Sequence, residues 1–182
     1  MNCVVTSIER LMLFSIIAIL GAAAYAQFAM GELPCPLCLL QRLGFFAIAF
    51  GLLANRQYGP RTLHYGLSFL GVLFTQLAAG TQVLRHIAPG DPGYSLPFWG
   101  LHLYTWAFVA ASCYSVGLTV LLLLRPQASY VVRNYTGTQV ARCDKILYWV
   151  LLLLALLNTG SALVECRLGL CPADPIRYEL LS

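Results

Sequence analysis

Apolar residues gather into five long blocks along the chain, at about 11–30, 38–54, 65–84, 101–124 and 146–165. Each comes close to the roughly 20 residues needed to cross a hydrocarbon core as a helix. Short polar stretches marked by Gly and Pro part them: GELPCP, NRQYGPRTLH, RHIAPGDPGYSLPFWG and RPQASYVVRNYTGTQVARCDK. A segment inside lipid must satisfy its backbone hydrogen bonds internally, so all five blocks are expected to be α-helical. The pattern predicts an all-α polytopic membrane helix bundle. It forms a single integral membrane domain over 1–182, with a tail at 166–182. No repeat or low-complexity tract interrupts it.

The first block has a rival reading. Arg10, the apolar run and the small residues before Gln27 imitate a secretory leader with a cleavage site. The run continues to Met30, longer than a leader core, and an uncleaved first helix is the favoured expectation. Both readings put Gln27 and the loop after it on the far side of the membrane.

Composition agrees with the pattern. Of the 182 residues, 59% are hydrophobic and 10% charged, against about 25% charged in a soluble domain. Mean hydropathy is +0.75. The net charge of +4 calls for no nucleic acid; its placement matters more. Arg10, Arg56, Arg61, Arg125, Arg133, Arg142 and Lys145 flank one side, and Arg42, Arg85, Arg167 and Arg177 the other. The positive-inside rule then puts the N-terminus in the cytoplasm. With an odd number of spans, the C-terminal tail lies outside.

This topology sorts the seven cysteines. Cys35, Cys38, Cys166 and Cys171 fall on the external, oxidising side, where disulfides persist. Cys3 and Cys143 fall on the cytoplasmic side. Cys113 sits in the middle of the fourth block and is expected to be a buried, small hydrophobe. The external four form two close pairs, CPLC and CRLGLC.

The first pair carries a chemical signature. Pro36 suits the first position of a helix. That sets Cys35 near the N-cap and Cys38 in the first turn, where unpaired N–H groups and the helix dipole favour a thiolate. Arg42 follows Cys38 by four residues, so it lies on the same helix face, about 6 Å deeper. Its charge would stabilise the Cys38 thiolate or polarise a ligand at the membrane boundary. Three plainer readings compete: a snorkelling arginine, a static disulfide staple, and a Cys₄ zinc site. The oxidising side argues against zinc.

At CPLCLLQR the chain resembles the disulfide bond formation protein B (DsbB) family, whose first external loop carries a CxxC with an arginine on the following helix. QVLRHIAPG, at the end of the third block, resembles the family segment whose histidine lies near a quinone. The resemblance implies a four-helix core over about the first two-thirds of the chain, to which the fifth helix is an addition. It implies a membrane-proximal redox pair, Cys35 and Cys38, with Arg42 and His86 as quinone-binding residues. It also implies ubiquinone or menaquinone as cofactor, a periplasmic DsbA-like thiol oxidase as partner, and a bacterial inner membrane location. One departure stands out. The family's second cysteine pair lies between helices three and four, and here that loop has no cysteine. The tail pair Cys166 and Cys171 is the expected substitute.

The implied function is a thiol:quinone oxidoreductase that reoxidises its partner and supports disulfide bond formation. Cys35, taken as the outer sulfur, would form the mixed disulfide with the tail, releasing Cys38 as a thiolate toward the quinone. His86 would supply or steer a proton; His102, among the aromatic residues Phe98, Trp99, Tyr104 and Trp106, is a weaker pocket candidate. The competing functions are a non-enzymatic scaffold with structural disulfides and an outward reductant relay. The relay would need a close-spaced inner pair, which Cys3, Cys113 and Cys143 do not form.

Overall fold

The computed structural model describes residues 2–95, 97–124 and 142–166. Five helices follow in order: α1 (Asn2–Ala29), α2 (Pro36–Tyr58), α3 (Thr62–Arg85), α4 (Leu103–Leu124) and α5 (Arg142–Cys166). All five are long and apolar enough to cross a membrane, and the protein is a multi-pass membrane protein. Among the described residues the only β pairing is an isolated bridge between Phe98 and Leu101. Large apolar side chains face outward along the helices, as with Leu63, Leu77 and Leu123; lipid is their natural solvent.

α2 and α3 form the tightest pair, α4 packs mainly on α3, and α5 packs on α1 and α2. Small residues make the α2–α3 contact close. A Cβ on Gly71 would stand 2.7 Å from both the Gly44 carbonyl and the Ile48 amide nitrogen. A Cβ on Gly44 would overlap Thr75 Oγ1 and stand 2.9 Å from the Gly71 carbonyl. Bare backbone on both sides lets the helices approach, the usual device where lipid removes the hydrophobic drive to associate. Ser68 Oγ adds a hydrogen bond across the seam to the Ile48 carbonyl at 3.0 Å. Around the seam the apolar core collects Leu13 and Ile16 from α1, Phe45 and Leu52 from α2, Leu118 from α4 and Leu151 from α5.

Consecutive helices run up and down, so each end of the bundle gathers alternate termini. At one end, the starts of α1, α3 and α5 meet the end of α2 in a buried polar knot. Arg56 Nη2 donates to Asp144 Oδ2 at 2.9 Å and its Nη1 to Thr6 Oγ1 at 3.0 Å. Arg10 Nε reaches Asp144 Oδ1 at 3.1 Å, and Tyr65 Oη donates to Glu9 Oε1 at 3.2 Å. Glu9 and Asp144 are both buried. Carboxylates removed from water persist when paired and hydrogen-bonded, and this pairing fastens the first turn of α5 to α1 and α2. It also carries α1 and α5 outward past the apolar blocks at 11–30 and 146–165, to Asn2 and Arg142.

The seam makes a clear expectation. Gly71→Ala must push α2 and α3 apart and should cost about 1–3 kcal/mol in detergent unfolding. Gly66→Ala, whose Cβ would meet nothing within 4 Å, should leave stability unchanged or slightly raised.

Candidate functional site

The opposite end of the bundle holds the chemistry. Cys35 is the N-cap of α2, with extended backbone at φ −68° and ψ 161°, and Pro36 opens the helix behind it. The Cys38 amide donates to Cys35 Sγ at 3.2 Å, so one of the unpaired N–H groups of the first turn ends on sulfur. Cys35 and Cys38 are joined as a disulfide, with Cα atoms 5.0 Å apart. Their exposure is unequal. Cys35 is only 5% exposed, and Cys38 is the more accessible of the two. Along α2 Cys35 is still the outer sulfur, at the N-cap, with Cys38 in the first turn, as the spacing predicts. Burial is decided by α3, which covers Cys35.

That cover is Gln82, one turn from the end of α3 and itself buried. Its Nε2 lies 3.2 Å from Cys35 Sγ and 3.7 Å from Cys38 Sγ. Its Oε1 accepts from Gln41 Nε2 at 2.8 Å. Neither glutamine was singled out from the sequence. Gln82 lies in the QVLRHIAPG segment, but an uncharged amide in an apolar block gives no signal until its neighbour on another helix is known.

Arg42 turns away from the cysteines. Its guanidinium donates to Gln27 Oε1 at 2.6 Å and the Ala23 carbonyl at 3.2 Å, both on α1, and to Asn158 Oδ1 at 3.5 Å on α5. These residues sit in a narrow crevice between α1, α2 and α5, walled by Leu20, Ala24, Phe28, Leu154 and Leu157. A cation with two carboxamides beside an apolar wall supplies the residue types a quinone would use, a donor for a carbonyl oxygen and a dry face for a ring.

His86 caps the end of α3 and faces elsewhere, toward α4. Its Nδ1 lies 3.0 Å from Asp91 Oδ1, and its ring lies against Tyr104 with centroids 5.6 Å apart. His102 stacks on the same tyrosine at 5.3 Å and meets the Ser95 carbonyl through Nδ1 at 3.1 Å. Gly93, at φ +69°, lies so close that a Cβ would stand 2.5 Å from His102 Nε2. Asp91 also accepts from the Gly93 amide at 2.8 Å. That bond first, and His86 second, hold the Asp91 carboxyl below its ordinary range.

This folded loop is laced to the segment before the cysteines. Tyr94 Oη donates to the Leu33 carbonyl at 2.6 Å, and Ser95 Oγ to Glu32 Oε2 at 2.6 Å. Arg42 and His86 are thus on different flanks of the site, one toward α1 and α5, the other toward α4.

Cys166, the last residue of α5, is disulfide-bonded; Cys171 and the tail 167–182 lie outside the described residues. The level of Cys166 follows from the helices. Arg42 meets Asn158. Running outward, Cys35 is seven residues before Arg42, about 10 Å, and Cys166 eight residues after Asn158, about 12 Å. The tail therefore starts close to the height of the first pair. Cys113, expected to be buried, instead lies on the exposed face of α4, and Cys143 is partly exposed. Glu165, just before Cys166, is fully buried with no hydrogen-bond partner on either carboxyl oxygen.

Residues 6–94 match the family described as Disulfide bond formation protein DsbB. The disulfide bond formation protein B of Cupriavidus metallidurans is 43% identical over 73 residues, which is 40% of this chain and 45% of that protein. That of Ralstonia nicotianae is 41% identical over 81 residues, 43% of this chain and 51% of the relative. That of Methylococcus capsulatus is 36% identical over 88 residues, 47% and 46% of the two chains. These matches span about half the length of each relative. No solved structure matches the chain.

Asp91 supplies a test of the loop. A carboxyl held below its ordinary pKa supports the fold above its unfolded pKa, and that support is lost as pH falls through the lowered value. Protection of the Gly93 amide, its exchange measured against the intrinsic rate at the same pH, is expected to hold at neutral pH and to be lost as pH falls below about 4. Asp91→Ala should lower that protection several-fold already at pH 7.

Proposed function

We propose that this protein, whose residues 6–94 match the family described as Disulfide bond formation protein DsbB, is a member of that family and a membrane thiol:quinone oxidoreductase that supports disulfide bond formation. The observation that carries the reading is the Cys35–Cys38 disulfide at the tip of α2 with Arg42 one turn below. A structural staple would need neither the helix tip nor the guanidinium beneath it.

The bundle sits with its Arg56–Asp144 end in the bacterial cytoplasm and its cysteine end in the periplasm. Support comes from Arg10, Arg56, Arg61, Arg142 and Lys145, which all belong to the helix termini of the first end. On the periplasmic side a reduced thiol oxidase of the DsbA kind attacks the Cys166–Cys171 bridge and leaves oxidised. The tail dithiol next attacks the Cys35–Cys38 bridge. Each handover is thiolate attack through a mixed disulfide. Two electrons pass inward at each stage, and the tail regains its disulfide as the inner pair becomes a dithiol.

Ubiquinone or menaquinone, when bound, supplies a two-electron, two-proton acceptor. Arg42 would hold a carbonyl oxygen of the ring, with Gln27 and Asn158 fixing the guanidinium. Leu20, Phe28, Leu154 and Leu157 keep water from the crevice. Arg42 would also offset negative charge that develops near it, in a medium where a fixed cation acts more strongly than in water. His86, anchored by Asp91 and lying against Tyr104, is assigned to moving protons at the cysteine end. An imidazole is suited to that near neutral pH.

The test is turnover of the purified protein with a reduced DsbA-like oxidase and a soluble quinone, followed by quinone absorbance. Cys38→Ser should abolish it. Arg42→Met should raise the KM for quinone at least tenfold while the Cys35–Cys38 disulfide still forms. Serine at Cys166 and Cys171 should block turnover with the protein partner but spare a small dithiol. Absence of quinone reduction by the unaltered protein, together with indifference to Cys38→Ser, would defeat the oxidoreductase reading. Unchanged partner turnover in the tail variant would remove the tail from the route.

A further inference from the structure

We infer that Glu165 is the proton-carrying residue of the Arg42 crevice: it delivers protons inward to that site and regains them from water at the outer end of α5. The inference rests on the quinone reaction proposed above and adds to it the route by which protons reach the acceptor.

Glu165 stands one residue from the end of α5. It is fully buried, and neither carboxyl oxygen has a hydrogen-bond partner. An uncompensated carboxylate so placed is costly, and the group keeps its proton instead. Its place on the helix gives that proton a use. Asn158, Ser161 and Glu165 follow at spacings of three and four, so they share one face of α5. Ser161 and Glu165 are buried there, and α5 packs on α1 and α2. Asn158 lines the crevice and meets Arg42 at 3.5 Å. Ser161 Oγ donates to the Asn158 carbonyl at 3.0 Å. Glu165 lies seven residues outward of Asn158, about 10 Å along the axis. Polar side chains therefore run from the guanidinium to the helix end.

The titratable groups around Glu165 have other places. On α2, Arg42 is the charged side chain that acts on Glu165 electrostatically, and Cys35 and Cys38 are joined as a disulfide. On α1, Tyr25 is exposed. After α1, Glu32 accepts from Ser95, on the side of the α3–α4 loop. On α5 itself, Cys166 is disulfide-bonded. His86 lies against Tyr104 of α4, on the opposite flank. Among the described residues, Glu165 is the buried group able to carry a proton on the crevice side.

The proton count closes. Oxidation of the Cys35–Cys38 dithiol releases two electrons and two protons, and reduction of the acceptor consumes two of each. The thiol protons leave at the cysteine end. Glu165 gives a proton toward the crevice and is left as a carboxylate whose charge Arg42 offsets. Water at the outer end of α5 returns a proton to it, and a second transfer completes the pair.

The experiment begins with the oxidised full-length protein in detergent, without quinone or partner, observed by infrared spectroscopy at neutral pH. Glutamic acids in contact with water are ionised there. The difference between the unaltered protein and Glu165→Gln should contain the C=O stretch of one protonated carboxyl. Subtraction removes Glu9, the other buried glutamate. In deuterated water that band should shift well before the α5 backbone amides exchange, whereas an acid sealed in for packing alone would keep its proton. In quinone turnover, Glu165→Gln should lower kcat about tenfold or more and leave the quinone KM within about twofold. The solvent deuterium isotope effect on kcat should rise in the same variant, and Glu165→Asp should recover most of the rate.

Absence of the band, a band that does not exchange, or an unchanged kcat in Glu165→Gln overturns the inference. If Glu165→Gln does not fold, Glu165→Asp decides: its band must move to that of an aspartic acid and still exchange. Failure of the unaltered protein to reduce quinone would strike the proposed function. The infrared exchange involves no quinone and supports or overturns the proton route by itself.

Discussion

The near-contact of α2 and α3 backbones at Gly44 and Gly71 is the constraint from which the rest follows. With any larger residue there the helices would stand further apart. The amide of Gln82 would then no longer reach Cys35. The disulfide at the tip of α2 is a local product of the CPLC sequence, but its environment is not. Burial of one sulfur, the donor facing it and the support of that donor by Gln41 all come from an approach made possible several turns further along the seam. Apolar attraction contributes little to helix association in lipid, which leaves close fit and interhelical hydrogen bonds to set the geometry.

Polar groups within the spans are divided between the two ends of the bundle. At one end, the Arg56–Asp144 pair with Arg10 and Glu9 is dense and charged. At the other, most of the partners are neutral amides, Gln27, Gln41, Gln82 and Asn158, gathered around one guanidinium and one disulfide. The charged knot fixes where α5 begins. The amides add no charge of their own around the guanidinium, and Glu165 is the buried carboxyl at that end. α5 joins the two: it starts in the knot, lends Asn158 to Arg42, and ends at Cys166 near the height of the first pair.

What the sequence disclosed was whatever could be read along one dimension. Five apolar blocks gave five helices because lipid leaves the backbone little choice. CPLC announced itself by spacing, Pro36 by its place at the start of α2, and Arg42 by being a charge where charge is costly. The partners of those residues were not legible. Arg42 was read against Cys38 because they are four residues apart, yet its hydrogen bonds run to α1 and α5. The burial of Cys35 was out of reach for the same reason, since α3 determines it. Cys113 was read as buried from its central position in α4, but rotation about the helix axis turned it outward. Gln41 and Gln82 carried no signal, because a carboxamide in an apolar run looks like an ordinary tolerated residue until its neighbour is known.

The loop between α3 and α4 holds a last consequence. It contains no cysteine, and Tyr94 and Ser95 stitch it to Leu33 and Glu32, immediately ahead of Cys35 and Cys38. A segment sewn down beside the sulfurs is poorly suited to ferrying them and well suited to serving as a fixed quay. If the moving pair rides on the chain's far terminus, berth and boat have become separate parts. Each is then free to be altered in evolution without disturbing the other: the berth for rigidity, the boat for the shape of whatever it meets.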